Sequence, residues 1–321
     1  MSLNSGIVHQ SIQDTPIAVV DFETTGLSPG NDRVVEISVV KIAPGRSPEL
    51  VFDTLINPTR HMAATEVHGI TDGDVVDAPR FEDIAGDFVA ALSGCVVAAY
   101  NVYFDIKFLR YEMQRAGVEH EPPHFCVMYM RPMLGLGNRC KLDEACRAHD
   151  VNYEATHVAS DDALAAANLL AVYLREIAAR DISTFSDLAK LKRYKFVDSF
   201  SSSPMPAPAS FNLTPSDRIV SRAACTVSPP VDPERHAIGA YWDALRTVLS
   251  DLEITPEEVT YISNERHRLG LKDEQIRVLH ARVFSSVIAQ FVDDKWLDDR
   301  EVLKLRQLRR CLSQLGWAPG D

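Results

Sequence analysis

Short apolar runs dominate the first hundred residues. Ile17-Ala18-Val19-Val20 is one, Val34 to Ile42 is rich in β-branched residues, Leu50 to Ile56 alternates, and Cys95 to Ala99 is another. Runs of this length and make-up predict strands. Longer patterns at helical spacing lie among and after them. Asp77 with Pro79 predicts a helix start, with an apolar face of Phe81, Ile84, Phe88 and Leu92 and a stop at Gly94. A second helix is expected from Asp105 through Ile106, Leu109 and Met113 to Gly117. A third is expected from near Asp161 through Leu164, Leu169, Val172 and Leu174 toward Ile177. Three strands ahead of the first long helix, then alternation, predict an α/β domain.

The pattern changes twice further on. From Ser199 to Asp232 the chain is rich in Ser, Pro and Ala, as in Ser201-Ser202-Ser203-Pro204-Met205-Pro206-Ala207-Pro208. Such a stretch has little apolar surface to offset its ordering entropy, so residues 199–232 read as a linker. Its apolar residues Phe211, Leu213, Ile219 and Val220 are expected to dock locally on a neighbour. After it, residues 233–321 show helical periodicity only. Thr255-Pro256-Glu257-Glu258 is a capping box with proline at the first helical position. Ile276, Leu279, Val283, Val287 and Phe291 recur at helical spacing, as do Leu305, Leu308, Leu312 and Leu315 before Gly316. About four helices in a small all-α bundle are expected.

Charge narrows the function classes. The 321 residues hold 33 Lys+Arg against 45 Asp+Glu, a net charge of −12, and the acidity sits in residues 1–175, with 13 basic and 24 acidic side chains. Gripping a long nucleic-acid backbone depends on basic side chains displacing counterions, so that mode is disfavoured. Engaging only the end of a strand is compatible with this balance. The six cysteines form no Cys-x-x-Cys pair, which argues against a zinc cluster or a disulfide framework. Met1 to Gln13 lacks a basic-then-apolar leader, and no apolar run approaches the roughly 18 residues of a membrane span. A soluble, cytoplasmic protein with no membrane partner is expected.

The chemistry is carried by carboxylates. Asp21 and Glu23 follow directly on the run Ile17 to Val20, and strand residues two apart project from one face. Asp299 and Glu301 have the same spacing in a helical pattern, where they diverge. Only the strand pair can share an ion, and Thr24-Thr25-Gly26 beside it lets backbone approach a ligand. Asp105 and Asp162 each stand at a helix start, where ligands gather in α/β domains. Four carboxylates meeting in one cleft would repel strongly without cations, and hard oxygen donors favour Mg²⁺ or Mn²⁺.

These residues also carry a resemblance. Asp21-Phe22-Glu23-Thr24-Thr25-Gly26-Leu27 resembles the first motif of the DnaQ-like 3′→5′ exonucleases of DEDDh type, within the ribonuclease H-like superfamily. Tyr100-Asn101-Val102-Tyr103-Phe104-Asp105 resembles the second, and His157 through Asp162 the third, with the His-x4-Asp spacing intact. The likeness runs from about Ile17 to about Ile177 and includes His68-Gly69-Ile70-Thr71 and Lys141-Leu142. It implies a ribonuclease H-like exonuclease domain, a mixed sheet flanked by helices, over residues 12–198. It implies that Asp21, Glu23, Asp105 and Asp162 hold two Mg²⁺ or Mn²⁺ ions, with His157 as general base. Backbone at Phe22 and Thr24, with Asn101, would locate the terminal nucleotide. The implied reaction is hydrolysis at single-stranded DNA or RNA 3′ ends, DNA favoured as in polymerase III epsilon-like members, releasing nucleoside 5′-monophosphates. The family commonly has His where Tyr100 stands, a departure that bears on substrate handling. Residues 233–321 resemble the TerB-like helical domain through Asp251-Leu252-Glu253-Ile254-Thr255-Pro256-Glu257-Glu258 and the Asp-rich turn near Asp293, which implies an adaptor for a protein partner.

Other features have plainer readings. Asp105 and Asp162 taken singly would be ordinary helix N-terminal carboxylates. His68 reads as a turn residue before a loop at Thr71-Asp72-Gly73-Asp74, Lys190 to Lys195 as solvated surface, and Asp293 to Asp299 as helix capping. Gly135-Leu136-Gly137 lacks the third glycine of a dinucleotide loop. The rival functions are a catalytically silent binding module that retains the cleft, and an RNA-trimming exoribonuclease.

Overall fold

A computed structural model describes residues 6–216, 219–221, 233–249, 255–291 and 299–317. A five-stranded mixed sheet forms its centre: β1 (Ile17–Thr24), β2 (Val34–Ile42), β3 (Glu49–Leu55), β4 (Val96–Ala99) and β5 (His124–Cys126), in the order β3-β2-β1-β4-β5. β1 pairs antiparallel with β2 and parallel with β4. The first three strands therefore form a meander, and the last two enter by crossovers through helices. Their mixed pairing matches the expected sheet. The strands before the first long helix lie where the apolar runs place them; β5, only three residues long, gives no periodic signal.

Helices cover both faces. α1 (Thr65–His68) and α2 (Asp72–Val75) are single turns, and α3 is Phe81–Leu92. α4 (Val102–Arg115), α5 (Val127–Met133) and α6 (Leu142–Ala148) follow, then α7 (Ala159–Ala179) and α8 (Phe185–Leu191). The segment read as a loop at Asp72 is thus a helical turn, closed by Thr71, whose N–H and hydroxyl both donate to Asp74 Oδ2. α3 buries the expected face, but it starts at Phe81 because Asp83 accepts from the Arg80 N–H and caps it there. α4 begins three residues before Asp105, which places that carboxylate inside the first turn. α3 stacks on one side of β1, with Phe22 and Phe88 ring centroids 6.0 Å apart. α7 lies on the other side, and its buried Ala163, Ala166 and Ala167 let the helix come close to β1 and β2.

The Ser/Pro-rich stretch is not loose along its first part. Met205 is buried, its carbonyl accepts from the Gly94 N–H, and Phe211 and Leu213 pack on the main core. A Cβ at Gly86 of α3 would collide with the Thr214 carbonyl, so the chain crosses that helix in direct contact. The Val220 carbonyl accepts from Leu55 N–H at the exposed edge of β3. Residues 222–232, with Cys225 and the Pro229-Pro230 pair, lie outside the described residues. So do Asp251 to Ile254 and Asp293 to Asp298, which hold the first half of one segment of the TerB-like resemblance and most of the other.

The remaining helices are α9 (Pro233–Val248), α10 (Pro256–Leu269), α11 (Asp273–Phe291) and α12 (Asp299–Gln314). Thr255 caps α10 through the Glu258 N–H at 3.2 Å, and Gly270 ends it in the left-handed region at φ 63°. Tyr241, Leu245, Ile262, Leu279, Leu308 and Leu312 build their shared core, which also takes in Ala64 and Val67 of the α1 region. Among the described residues no helix is long and apolar enough to cross a membrane.

Candidate active site

Strand alternation sets Asp21 and Glu23 on the face of β1 that α7 covers, while Phe22 between them enters the α3 side of the core. Across the ladder Asp21 faces Ser38 and Glu23 faces Glu36. Glu36 is fully buried, and its Oε2 accepts from the Ala159 N–H at 3.1 Å. That bond satisfies a free amide at the start of α7 and fixes the helix over the strand pair. Asp161 and Asp162 lie in the same first turn, where negative charge is favourable.

Asp162 is thereby delivered to Glu23. One ligand atom each of Glu23, His157 and Asp162 lie within 4.8 Å of one another, a spacing at which they could hold one ion. His157 is buried just ahead of α7 with φ 52°, a left-handed backbone costly for a non-glycine residue. Its Nδ1 lies 3.8 Å from Asp243 Oδ2. Tyr153 donates its hydroxyl to Asp162 Oδ1 at 2.7 Å. Asp105, buried in the first turn of α4, reaches the site because β4, the strand feeding that helix, runs parallel to β1. Asp21 and Asp105 stand outside the 4.8 Å set but share its field.

Burial and mutual repulsion govern the charges. Burial holds the Asp21 and Glu23 carboxyls well above the usual range, with the Asp162 charge next in effect on both. Asp105 is pushed up to about 7 by burial, against the opposing pull of Arg246 and of the Asp105 and Phe22 backbone amides. Asp162 is pushed up to about 6 by burial, opposed by His157 and the Tyr153 hydroxyl. Asp105 Oδ1 is buried with no hydrogen-bond partner among the described residues. An unsatisfied carboxylate oxygen within a set of raised, hard-oxygen donors fits a divalent cation.

The expected substrate-contacting residues surround these acids. Thr24 donates its hydroxyl to the Gly26 carbonyl at 2.5 Å, shaping the turn after β1. Asn101 stands just ahead of α4, its Nδ2 donating to the Arg246 carbonyl at 3.4 Å and its Oδ1 buried without a partner among the described residues. Tyr100 turns away, donating its hydroxyl to the Cys140 carbonyl at 2.7 Å, so it braces the loop ahead of α6. His68 is a buried turn residue whose Nδ1 accepts from the Ile70 N–H at 3.0 Å.

Four residues at the site escape the sequence reading. Glu36 and Tyr153 carry one local signal between them, a charge inside the β-branched run Val34 to Ile42. Asp243 and Arg246 come from α9, beyond the Ser/Pro-rich stretch, and nothing nearby in the chain links them to the acids. The Arg246 guanidinium lies 3.8 Å from the Phe104 ring centroid, and its charge lowers the Asp21, Glu23 and Asp105 carboxyls.

Residues 18–170 match the family described as Exonuclease. Among curated proteins, a DNA polymerase III subunit epsilon-like protein of Rhodobacter capsulatus is 34% identical over 188 residues, 56% of this chain and 27% of that protein. DNA polymerase III PolC-type of Thermotoga maritima is 29% identical over 182 residues, 56% of this chain and 13% of that protein. This chain thus spans about a quarter or less of these relatives' length. A solved structure, Exonuclease X in complex with 5′ overhanging duplex DNA, shares 22% identity with a TM-score of 0.40, covering 55% of this chain and 98% of that one.

Proposed function

We propose that this chain, whose residues 18–170 match the Exonuclease family, is a 3′→5′ exonuclease of the DnaQ-like group with a ribonuclease H-like fold. It hydrolyses phosphodiester bonds at single-stranded ends, DNA favoured, and releases nucleoside 5′-monophosphates. One observation carries this: Glu23, His157 and Asp162, from a strand and a helix start more than a hundred residues apart, lie within 4.8 Å of one another, with Asp21 and Asp105 in the same field.

Asp21, Glu23, Asp105 and Asp162 would hold the divalent ions. Two Mg²⁺ or Mn²⁺ ions, when bound, supply the charge that stabilises the attacking and leaving oxygens of an in-line displacement at phosphorus. His157 takes a proton from the attacking water at its ring nitrogen, a task for which imidazole has a suitable range. The left-handed backbone at His157 and the Glu36 anchor on Ala159 aim that ring at Glu23 and Asp162. Tyr153 orients Asp162. Backbone at Phe22 and Thr24, with the unsatisfied Asn101 Oδ1, locates the terminal nucleotide. Residues 12–198 form the catalytic unit, 199–232 the connection, and 233–321 a helical adaptor for a protein partner. The protein acts in the cytoplasm.

The test follows 5′-labelled single-stranded DNA and RNA with Mg²⁺ or Mn²⁺, with Asp21→Ala as control. Stepwise loss from the 3′ end in the parent alone is expected, and His157→Ala should slow it by roughly 10²-fold or more while Mn²⁺ still binds. Intact oligonucleotide that is nonetheless retained by the protein would favour a silent binding module. Faster loss of RNA would favour an exoribonuclease.

A further inference from the structure

α9 lies inside the cleft just described. A Cβ added at Gly239 would collide with the His157 ring at Nε2, so the bare helix backbone rests on the ring edge. One turn on, Asp243 faces His157 Nδ1. The next turn brings Arg246, whose carbonyl accepts from Asn101 and whose guanidinium covers Phe104 and bears on Asp21, Glu23 and Asp105. Arg246 Nε is buried without a hydrogen-bond partner among the described residues. Three successive turns of one helix thus meet the general base, the nucleotide-locating Asn and the acid cluster.

This arrangement excludes substrate. Water and a scissile phosphate must reach His157 and the acids together, and the α9 backbone fills the space beside the imidazole. A guanidinium in the field of Asp21, Glu23 and Asp105 offsets part of the repulsion that divalent cations would offset. The seating is reinforced further out. Lys141 Nζ bonds Glu265 Oε2 at 2.7 Å, Arg139 pairs with Glu258, and Ala64 and Val67 enter the helical core.

We propose that α9 is a built-in plug, holding the exonuclease cleft shut with Arg246 as a substitute counter-charge, and that it must withdraw before cations and a strand end can enter. The catalytic consequence rests on the exonuclease reading; the competition with cations does not. A cleft open a tenth of the time or less weakens apparent affinity about tenfold or more.

The experiment titrates Mn²⁺ into the full chain by electron paramagnetic resonance and assays single-strand hydrolysis at low Mn²⁺. The proteins are the parent, Gly239→Leu, Arg246→Ala and Asp21→Ala. Gly239→Leu changes no charge and trades glycine for a better helix former, yet the seated position has no room for it. Both plug variants are expected to bind Mn²⁺ about tenfold or more tightly than the parent and to hydrolyse faster. Unchanged or weaker Mn²⁺ binding in a folded Gly239→Leu protein overturns the plug. Should that variant fail to fold, the same result in Arg246→Ala overturns it. Tighter Mn²⁺ binding without hydrolysis in any protein upholds the plug and defeats the exonuclease reading. Hydrolysis abolished by Asp21→Ala, with no tighter Mn²⁺ binding in either plug variant, does the reverse.

Discussion

Arg33 and Glu112 form a buried, two-pronged ion pair that joins the start of β2 to the α4 helix bearing Asp105. Nε meets Oε1 at 2.6 Å and Nη2 meets Oε2 at 2.8 Å, with side-chain exposures of 9% and 1%. The same guanidinium donates to the Pro58 carbonyl and Thr59 Oγ1, each at 3.3 Å, and the Arg33 N–H donates to Thr25 Oγ1 in the turn after the first acidic motif. Replacing Glu112 with Leu leaves a guanidinium desolvated and largely unpaired, which costs about 3–5 kcal/mol. Arg33→Met leaves the carboxylate only the more exposed Arg115, 3.7 Å away, at a cost toward the lower end of that range. The double variant Arg33→Met/Glu112→Leu removes both charges and should lie within about 1 kcal/mol of the parent. Urea unfolding followed by far-ultraviolet circular dichroism reads this out. At roughly 2 kcal/mol per molar urea, each single change should lower the midpoint by about 2 M and the double by well under 1 M. Single changes costing under about 1 kcal/mol, or a double variant as unstable as the sum of its parts, would refute the account.

Other outcomes follow from burial and charge. With Asp105 at about 7 and Asp162 at about 6, protons compete for the acid cluster, so Mn²⁺ should bind roughly tenfold or more weakly at pH 5.5 than at pH 8 by titration. Because these carboxyls sit above their ordinary value of 3.8, they should add stability as pH falls from about 7 toward 4 in the cation-free protein, seen as a rising Tm in a His280→Phe background; a falling one there would contradict the burial. His280 has the opposite sign: burial beside Tyr241 lowers it from 6.5 to about 4, so it costs up to about 3 kcal/mol as pH falls through that window. His280→Phe should flatten that loss in acid denaturation curves. Gly86→Ala, which in a free helix would stabilise by about 1 kcal/mol, should instead destabilise here, because the Thr214 carbonyl occupies the space; an increase in Tm would show that the Ser/Pro-rich chain does not lie there.

Strand and helix placement was legible because it depends on local alternation. The runs at Ile17, Val34 and Leu50 carry enough β-branched and apolar residues to define β1 to β3, and Phe81, Ile84, Phe88 and Leu92 define the buried face of α3. The acids were legible for the same reason: Asp21 and Glu23 continue a strand, and a strand puts residues two apart on one face. β5 was not, since three residues held by parallel pairing to β4 have no period of their own. The docking of Phe211 and Leu213 was legible from their apolar side chains, but that of Met205 was not, because a Ser/Pro-rich composition reports low apolar content, whereas one apolar side chain suffices when a finished core offers it a site.

By itself the amino-acid order determined which side chains could do the chemistry, since motif spacing and strand alternation are properties of neighbours along the chain. Only the tertiary structure decided what stands against them. Glu36 reaches the α7 amide across an antiparallel ladder, and Arg246 reaches the acids from a helix more than eighty residues past the last motif. Contacts of that range depend on how finished surfaces meet, on shape and on charge left unpaired, and none of that is written in local periodicity.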